Sequence, residues 1–312
     1  MEIYKDISKI QQLNLKTAIT VGVFDGVHLG HRKVISKLTS FARKNNLTSL
    51  VMTFDPHPQT ILEGKKTCLI NTPAQRFELI ENLGVDVCYV IKFDEDFASI
   101  NPEAFIKDLL IDKLNMKLLA VSKNYRFGRE NQGNIDLIRK LSRSLPFALE
   151  VVEEVKIDSV TIKSTLIRET LKQGNLQSAN MMLGRNYFLE GHVVKGKRIG
   201  SKIGYPTINL EVKQDIILQA GVYISNINYQ KKTYNSVVNV GFRPTVDKEA
   251  ETKIVEAHIL NFKDDLYDKD VRINFLEKIR NEKKFGDLKQ LKNAIAEDIV
   301  TAHKYFDKLQ KI

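Results

Sequence analysis

His28 and His31, with Gly30 between them, follow an apolar run in VGVFDGVHLGH, residues 21–31. An apolar β-rich run that gives way through glycines to a helical pattern marks the carboxyl edge of a strand. There a helix N-terminus offers free N–H groups and a positive dipole end to anions. Two imidazoles at that edge can donate hydrogen bonds to phosphoryl oxygens, and Gly22, Gly26 and Gly30 let the backbone come close to a phosphate. The pattern H-x-G-H therefore points to nucleotide chemistry. Solvated or capping histidines in a glycine-rich turn are the plainer alternative.

A second group occupies KGKRIGSKIGYPTINL, residues 195–210, in which Gly196, Gly200 and Gly204 recur at every fourth position. Such a loop can wrap a polyphosphate through backbone N–H groups. In PTIN, Thr207 and Asn209 are two apart on a strand and face the same way, offering two neutral oxygens to a hard cation such as Mg²⁺. Ordinary strand residues after a proline turn would read the same. In KIVEAHIL, residues 253–260, Val255, Ala257 and Ile259 alternate with Glu256 and His258. Glu256 thus projects away from the apolar face, either as a base for an alcohol attacking a γ-phosphate or as an outward-facing strand residue.

The elements that must position these groups differ between the halves. In the first, apolar runs at 18–24, 49–54, 85–91 and 118–121 alternate with helical patterns, which predicts a doubly wound α/β domain with a parallel sheet. Val34, Ile35, Leu38, Phe41 and Ala42 share one helical face, and Asn101 caps a helix with Pro102 in its first turn. After about residue 184 the texture changes to six short strands, YFLEGHVV, PTINLEV, GVYISNI, SVVNVGF, KIVEAHIL and DVRINFL. That spacing predicts a small antiparallel β-barrel, closed by a helix capped by Asp287 with Leu288, Leu291, Ile295 and Ile299 inward. The expected domains are 1–184 and 185–312.

Composition limits the partners. Net charge is +10, from 48 Lys and Arg against 38 Asp and Glu, which suits an anionic partner. The basic residues are interleaved with acids and form no basic arm, so a phosphorylated small molecule is favoured over nucleic acid. Two cysteines, Cys68 and Cys88, cannot build a disulfide framework and suit a reducing compartment. No apolar run approaches the roughly 18 residues of a membrane span. The expectation is a cytoplasmic protein, with oligomeric state left open.

Further segments sit where strands should end: TFDPHP at 53–58, YRFG at 125–128 behind Asn124, and KSTLIRE at 163–169. Together with H-x-G-H they resemble the amino-terminal, adenylyltransferase half of bacterial bifunctional riboflavin kinase/FAD synthetases. The resemblance implies that His28 and His31 hold the ATP phosphates, that Ser164, Thr165 and Arg168 assist them, and that Asn124 touches nucleotide or flavin phosphate. GYPTIN, NVGFRPT at 239–245, VEAHIL and IRNEKKF at 279–285 resemble the riboflavin kinase domain in order and spacing. For that half the resemblance implies Thr207 and Asn209 at the metal and nucleotide position and Glu256 as general base. ATP, riboflavin, FMN and FAD are then substrates or products, with Mg²⁺ as cofactor. The chain departs from many relatives at Val23, where they read GNFDG, at VSKNY, where they read VGDDF, and at Lys163, where they read SST. Those departures leave open a kinase with a degenerate adenylyltransferase half. A flavin- or nucleic-acid-binding regulator on the same folds is the alternative from another class.

Overall fold

The computed structural model describes residues 1–64, 67–196, 199–242 and 253–309. Two compact units are present, Met1–Ser164 and Thr165–Ile312, and each is taken separately. Lys197, Arg198 and the stretch holding Arg243, Pro244 and Thr245 of the NVGFRPT segment lie outside the described residues.

The first unit runs β1 (Glu2–Tyr4), α1 (Ile7–Gln12), β2 (Thr17–Val21), α2 (Leu29–Lys44), β3 (Thr48–Asp55), α3 (Pro58–Leu62), α4 (Pro73–Glu81), β4 (Val87–Lys92), α5 (Glu95–Ala98), α6 (Pro102–Ala104), β5 (Met116–Ser122), α7 (Ile135–Ser142), β6 (Ala148–Val152) and a hairpin of β7 (Lys156–Ile157) and β8 (Val160–Thr161). β1 to β6 form one six-stranded sheet in the order β1-β4-β3-β2-β5-β6, parallel at every pairing. Chain direction across the sheet reverses between β2 and β5. In an open α/β sheet that switch point, at the carboxyl ends of the strands, is where a ligand fits. The loops after β2 and β5 hold His28 and Asn124.

The sheet is covered on both faces because its strands alternate between two apolar sets. Ile19, Val21, Leu50, Met52, Leu119 and Val121 join Ile106, Leu110 and Ile138 in one core. Ala18, Val51, Leu118 and Ala120 join Ile35, Leu38 and Ala42 in the other. Ile35 and Leu38 of α2 are fully buried, each stabilising the fold by roughly 1.5–3 kcal/mol. The expected face of α2 is the buried one, with Phe41 packed at its margin. Asn101 caps α6 as expected, and the chain continues as a π-helix over Phe105–Lys113.

The second unit contains α8 (Ser164–Lys172, whose first residue closes the first unit), α9 (Leu176–Leu183), β9 (Tyr187–Val194), α10 (Ile199–Lys202), β10 (Ile208–Val212), β11 (Gly221–Tyr229), β12 (Lys232–Phe242), β13 (Lys253–Ile259), β14 (Asp270–Asn281) and α11 (Leu288–Leu309). The six strands close into a barrel in the order β10-β13-β12-β11-β14-β9, antiparallel throughout. Closure leaves no edge strand to pair with another chain. α11 is capped by Asp287, which accepts from the Gln290 N–H at 2.8 Å. Of the face expected inward, Leu291 and Ile295 are half-buried and Ile299 packs on the core with Ala302 and Phe306, whereas Leu288 is exposed. Leu288 is the first residue of α11.

The sequence pattern missed the edge strands β1 and β6 and the β7–β8 hairpin. β1 has three residues and β6 is only partly buried, so neither carries a long apolar run. The compact units part at Ser164/Thr165, ahead of residue 184, because α9 packs on β9 and β14 of the barrel.

Candidate active sites

In the first unit, β2 ends at Val21 and the chain turns through Phe24 (φ 54°), Gly26 (φ 81°) and Val27 (φ 38°) before α2 begins. His28 is the N-cap of α2, and its Nδ1 accepts from the His31 N–H at 3.3 Å. That acceptor role assigns the ring proton to Nε2. The rings of His28 and His31 stack at 3.6 Å with an interplanar angle of 20°, and Phe24 meets His31 edge-on at 5.2 Å. Gly30 makes this stack possible, because a Cβ there would lie 3.0 Å from His28 Cε1. Gly22 is similarly confined, with a Cβ at 3.1 Å from the Phe24 ring. The capping alternative is what the structure shows: the imidazole that caps α2 stands at the switch point of the sheet, at the N-terminus of that helix.

Two segments bond to this loop through Asp25, and the other motif residues are held locally. Asp25 is buried and accepts from the Ile70 N–H at 2.9 Å, while its carbonyl accepts from the Ser164 hydroxyl at 2.9 Å. His57 of DPHP caps α3 by accepting from the Gln59 N–H at 3.1 Å. After β5, the Asn124 amide donates to Glu154 at 2.6 Å. Tyr125 stacks on Phe127 at 5.4 Å, and burial raises its hydroxyl pKa above the ordinary value. Thr165 and Arg168 follow Ser164 on α8.

In the second unit, the register of the barrel brings the sequence-selected residues into one row. Asn209 on β10 pairs with Glu256 on β13, and Glu256 pairs with Asn239 on β12. Asn239 pairs with Val222, and Val222 with Arg280 on β14. Directly opposed residues share a face of the sheet. All five line a groove of about 1200 Å³ that also takes in Gly196, Gly200 and Thr207, with Leu291 and Ile295 of α11 on another wall. Gly204 is outside that lining and has φ 90°, a turn conformation that suits glycine. Gly196 and Gly200 are required by close approach, since a Cβ would strike the Asn209 side chain at the first and the Tyr205 carbonyl at the second.

Three supports were not singled out by sequence. His258 Nδ1 donates to the Pro206 carbonyl at 2.7 Å, tying GYPT to VEAHIL. Arg280 forms a double hydrogen bond with buried Asp298 at 2.9 and 2.8 Å, fixing α11 beside the groove. Lys253 donates to the Ile216 and Leu218 carbonyls at 3.1 and 2.8 Å. His258 is the one with a local signal, alternating in phase with Glu256. The other two depend on pairings between distant elements. Among the described residues no cluster of three or more His, Cys, Asp or Glu forms a metal site. Thr207 and Asn209 line the same groove as Glu256, and their neutral oxygens beside one carboxylate are of the type a hard cation shared with phosphates takes.

A parallel sheet with paired imidazoles at its switch point, followed by a closed barrel that sets one carboxylate between two asparagines beside a glycine loop, defines a two-centre, phosphate-handling protein. The FAD synthetase family model matches residues 10–166 and the riboflavin kinase model residues 183–306. The bifunctional riboflavin kinase/FMN adenylyltransferase of Buchnera aphidicola subsp. Schizaphis graminum is 33% identical over 310 residues, 98% of this chain and 99% of its own length. That of Escherichia coli strain K12 is 33% identical over 309 residues, 98% of each chain. A crystal structure described as a macrolide-efflux protein from Streptococcus pneumoniae superposes with TM-score 0.86 at 28% identity, covering 96% of this chain and 98% of that one. The chain belongs to the bifunctional riboflavin kinase/FMN adenylyltransferase family.

Proposed function

We propose that the chain phosphorylates riboflavin to FMN at the barrel groove and adenylylates FMN to FAD at the switch point of the parallel sheet. The observation that carries the first reaction is the row Asn209–Glu256–Asn239 inside one groove with Thr207 and the glycine loop. Glu256 takes the proton as the terminal ribityl hydroxyl attacks the γ-phosphorus of ATP, and ADP leaves. Gly196 and Gly200 admit the phosphates to the groove wall. Thr207 and Asn209 would hold Mg²⁺, which neutralises phosphate charge when bound.

The second reaction rests on the His28–His31 stack. A phosphate oxygen of FMN attacks the α-phosphorus of ATP, the bond to the β-phosphate breaks, and pyrophosphate leaves. The protein's part is to orient the groups and to balance developing charge. His28 and His31 donate to phosphoryl oxygens, Gly22, Gly26 and Gly30 admit them, and Asn124, Ser164, Thr165 and Arg168 assist in the roles the family motif implies. The chemical halves are assigned to 1–184 and 185–312, the partners to small molecules, and the place of action to the cytoplasm. Among the described residues, no helix is long and apolar enough to cross a membrane.

Incubation of the protein with riboflavin, ATP and Mg²⁺, followed by chromatographic separation of the flavins, tests the whole reading. Sequential appearance of FMN and FAD is expected. FMN without FAD identifies the first half as degenerate, and no turnover with salt-sensitive nucleic-acid binding identifies a regulator.

A further inference from the structure

Arg76, on α4, is a cation taken almost wholly out of water at 3% exposure. Its Nη1 donates to the Val23 carbonyl and its Nη2 to the Phe54 carbonyl, each at 3.0 Å. Val23 opens the loop that ends at His28, and Phe54 opens the DPHP turn. One planar fork therefore ties the backbone leaving β2 to the backbone leaving β3. The Thr53 hydroxyl donates to the same Val23 carbonyl at 3.0 Å.

The cation is held by its surroundings. Burial lowers the Arg76 pKa, and the charge of Asp25 opposes that shift. Asp25 in turn accepts from the Ile70 and Asn71 N–H groups at 2.9 and 3.4 Å, just before the Thr72–Gln75 capping box that starts α4. A well-packed apolar side chain often supports a core as well as a buried charge does, so stability alone does not call for arginine. What arginine adds is a rigid fork that reaches two carbonyls at once, which lysine cannot match.

We propose that Arg76 is a positioning residue for adenylyl transfer: its fork onto the Val23 and Phe54 carbonyls holds the loop that leads into His28, and through it His31 in the first turn of α2, in register with the DPHP loop. This rests on the reading of the first unit as the adenylyltransferase. Arg76 acts through the loops and touches no substrate.

The test uses the full chain with Arg76→Lys and Arg76→Met. FMN adenylylation should lose about 10²-fold in kcat for Arg76→Met and about 10-fold for Arg76→Lys, the scale expected for loops displaced by about 1 Å. Riboflavin phosphorylation in the same samples should stay at the wild-type rate. Amide hydrogen exchange should quicken at residues 22–31 and 54–57 in both variants while the amides of β2, of residues 48–53 in β3 and of β5 keep their protection. Wild-type kcat and loop exchange in Arg76→Lys would overturn the proposal. So would a loss of protection spread across the whole sheet in both variants, which would make Arg76 a fold-stabilising residue only. If the wild-type chain makes no FAD from FMN, the assigned reaction falls. The exchange pattern still decides whether Arg76 locks the loops.

Discussion

His28 Nδ1 caps α2, which puts the ring proton on Nε2, and in the proposed reaction that N–H donates to a phosphoryl oxygen. His28→Ala and His31→Ala should each reduce FAD formation by the equivalent of about 2.7–4 kcal/mol, as removal of an oxyanion donor does. Stopped assays on FMN and ATP measure this, with riboflavin phosphorylation unchanged in the same protein. Glu256 makes the reciprocal case. Glu256→Gln keeps the shape of the side chain and removes the proton acceptor, so FMN formation should fall on the order of 10²- to 10⁴-fold. FAD formation from supplied FMN should persist. A wild-type phosphorylation rate in this variant would show that Glu256 is a wall residue of the groove.

At the scale of elements, sites are built from the register of strands and the glycines of loops. The row from Asn209 to Arg280 exists because β10, β13, β12, β11 and β14 are neighbours in the barrel, and a one-residue slip of β13 would turn Glu256 to the opposite face. The loop that closes onto this row depends on Gly200, whose Cβ would strike the Tyr205 carbonyl. In Gly200→Ala the segment from 200 to 207 must shift and carry Thr207 with it. A displacement near 1 Å costs about 10²-fold in the kinase rate. Steady-state phosphorylation at saturating ATP reads this, and adenylylation of FMN should be unaffected. Arg280 and Asp298 act similarly on α11, whose Leu291 and Ile295 line the groove.

At the scale of the whole molecule, the place where the chain divides matters. α9 packs on the barrel: the Asn180 amide donates to the Phe275 carbonyl at 3.0 Å and its Oδ1 accepts from the Tyr187 N–H at 2.7 Å. The Gln219 N–H likewise donates to the Leu171 carbonyl of α8 at 3.0 Å. A fragment of residues 165–312 should therefore fold with kinase activity. A fragment of 185–312 should keep the kinase residues but unfold at a lower temperature, since burial of Leu176, Ala179, Met182 and Leu183 is lost. Circular dichroism melts and FMN formation by both fragments check this. Residues 1–184 retain the whole motif set through Arg168 and should make FAD only from supplied FMN. Absence of kinase activity in a folded 165–312 fragment would show that the halves are chemically dependent.

Much was determined by local pattern. Helix and strand periods predicted the parallel sheet, and six short strands predicted the barrel because period-two alternation and turn residues are local properties. His28, His31, Gly30, Thr207, Asn209 and Glu256 were legible for the same reason: their types and spacing are written along single segments. The tertiary structure alone decided which strands adjoin, hence that Asn239 and Arg280 stand in the same row as Glu256, and that Arg76 reaches two loops from a helix 22 positions beyond Phe54 and 53 beyond Val23. It also decided that α8 and α9 count with the barrel despite carrying no barrel pattern. Pairings of this kind join residues far apart in the chain, and their free energy comes from burial and hydrogen bonding that exist only once the elements have packed.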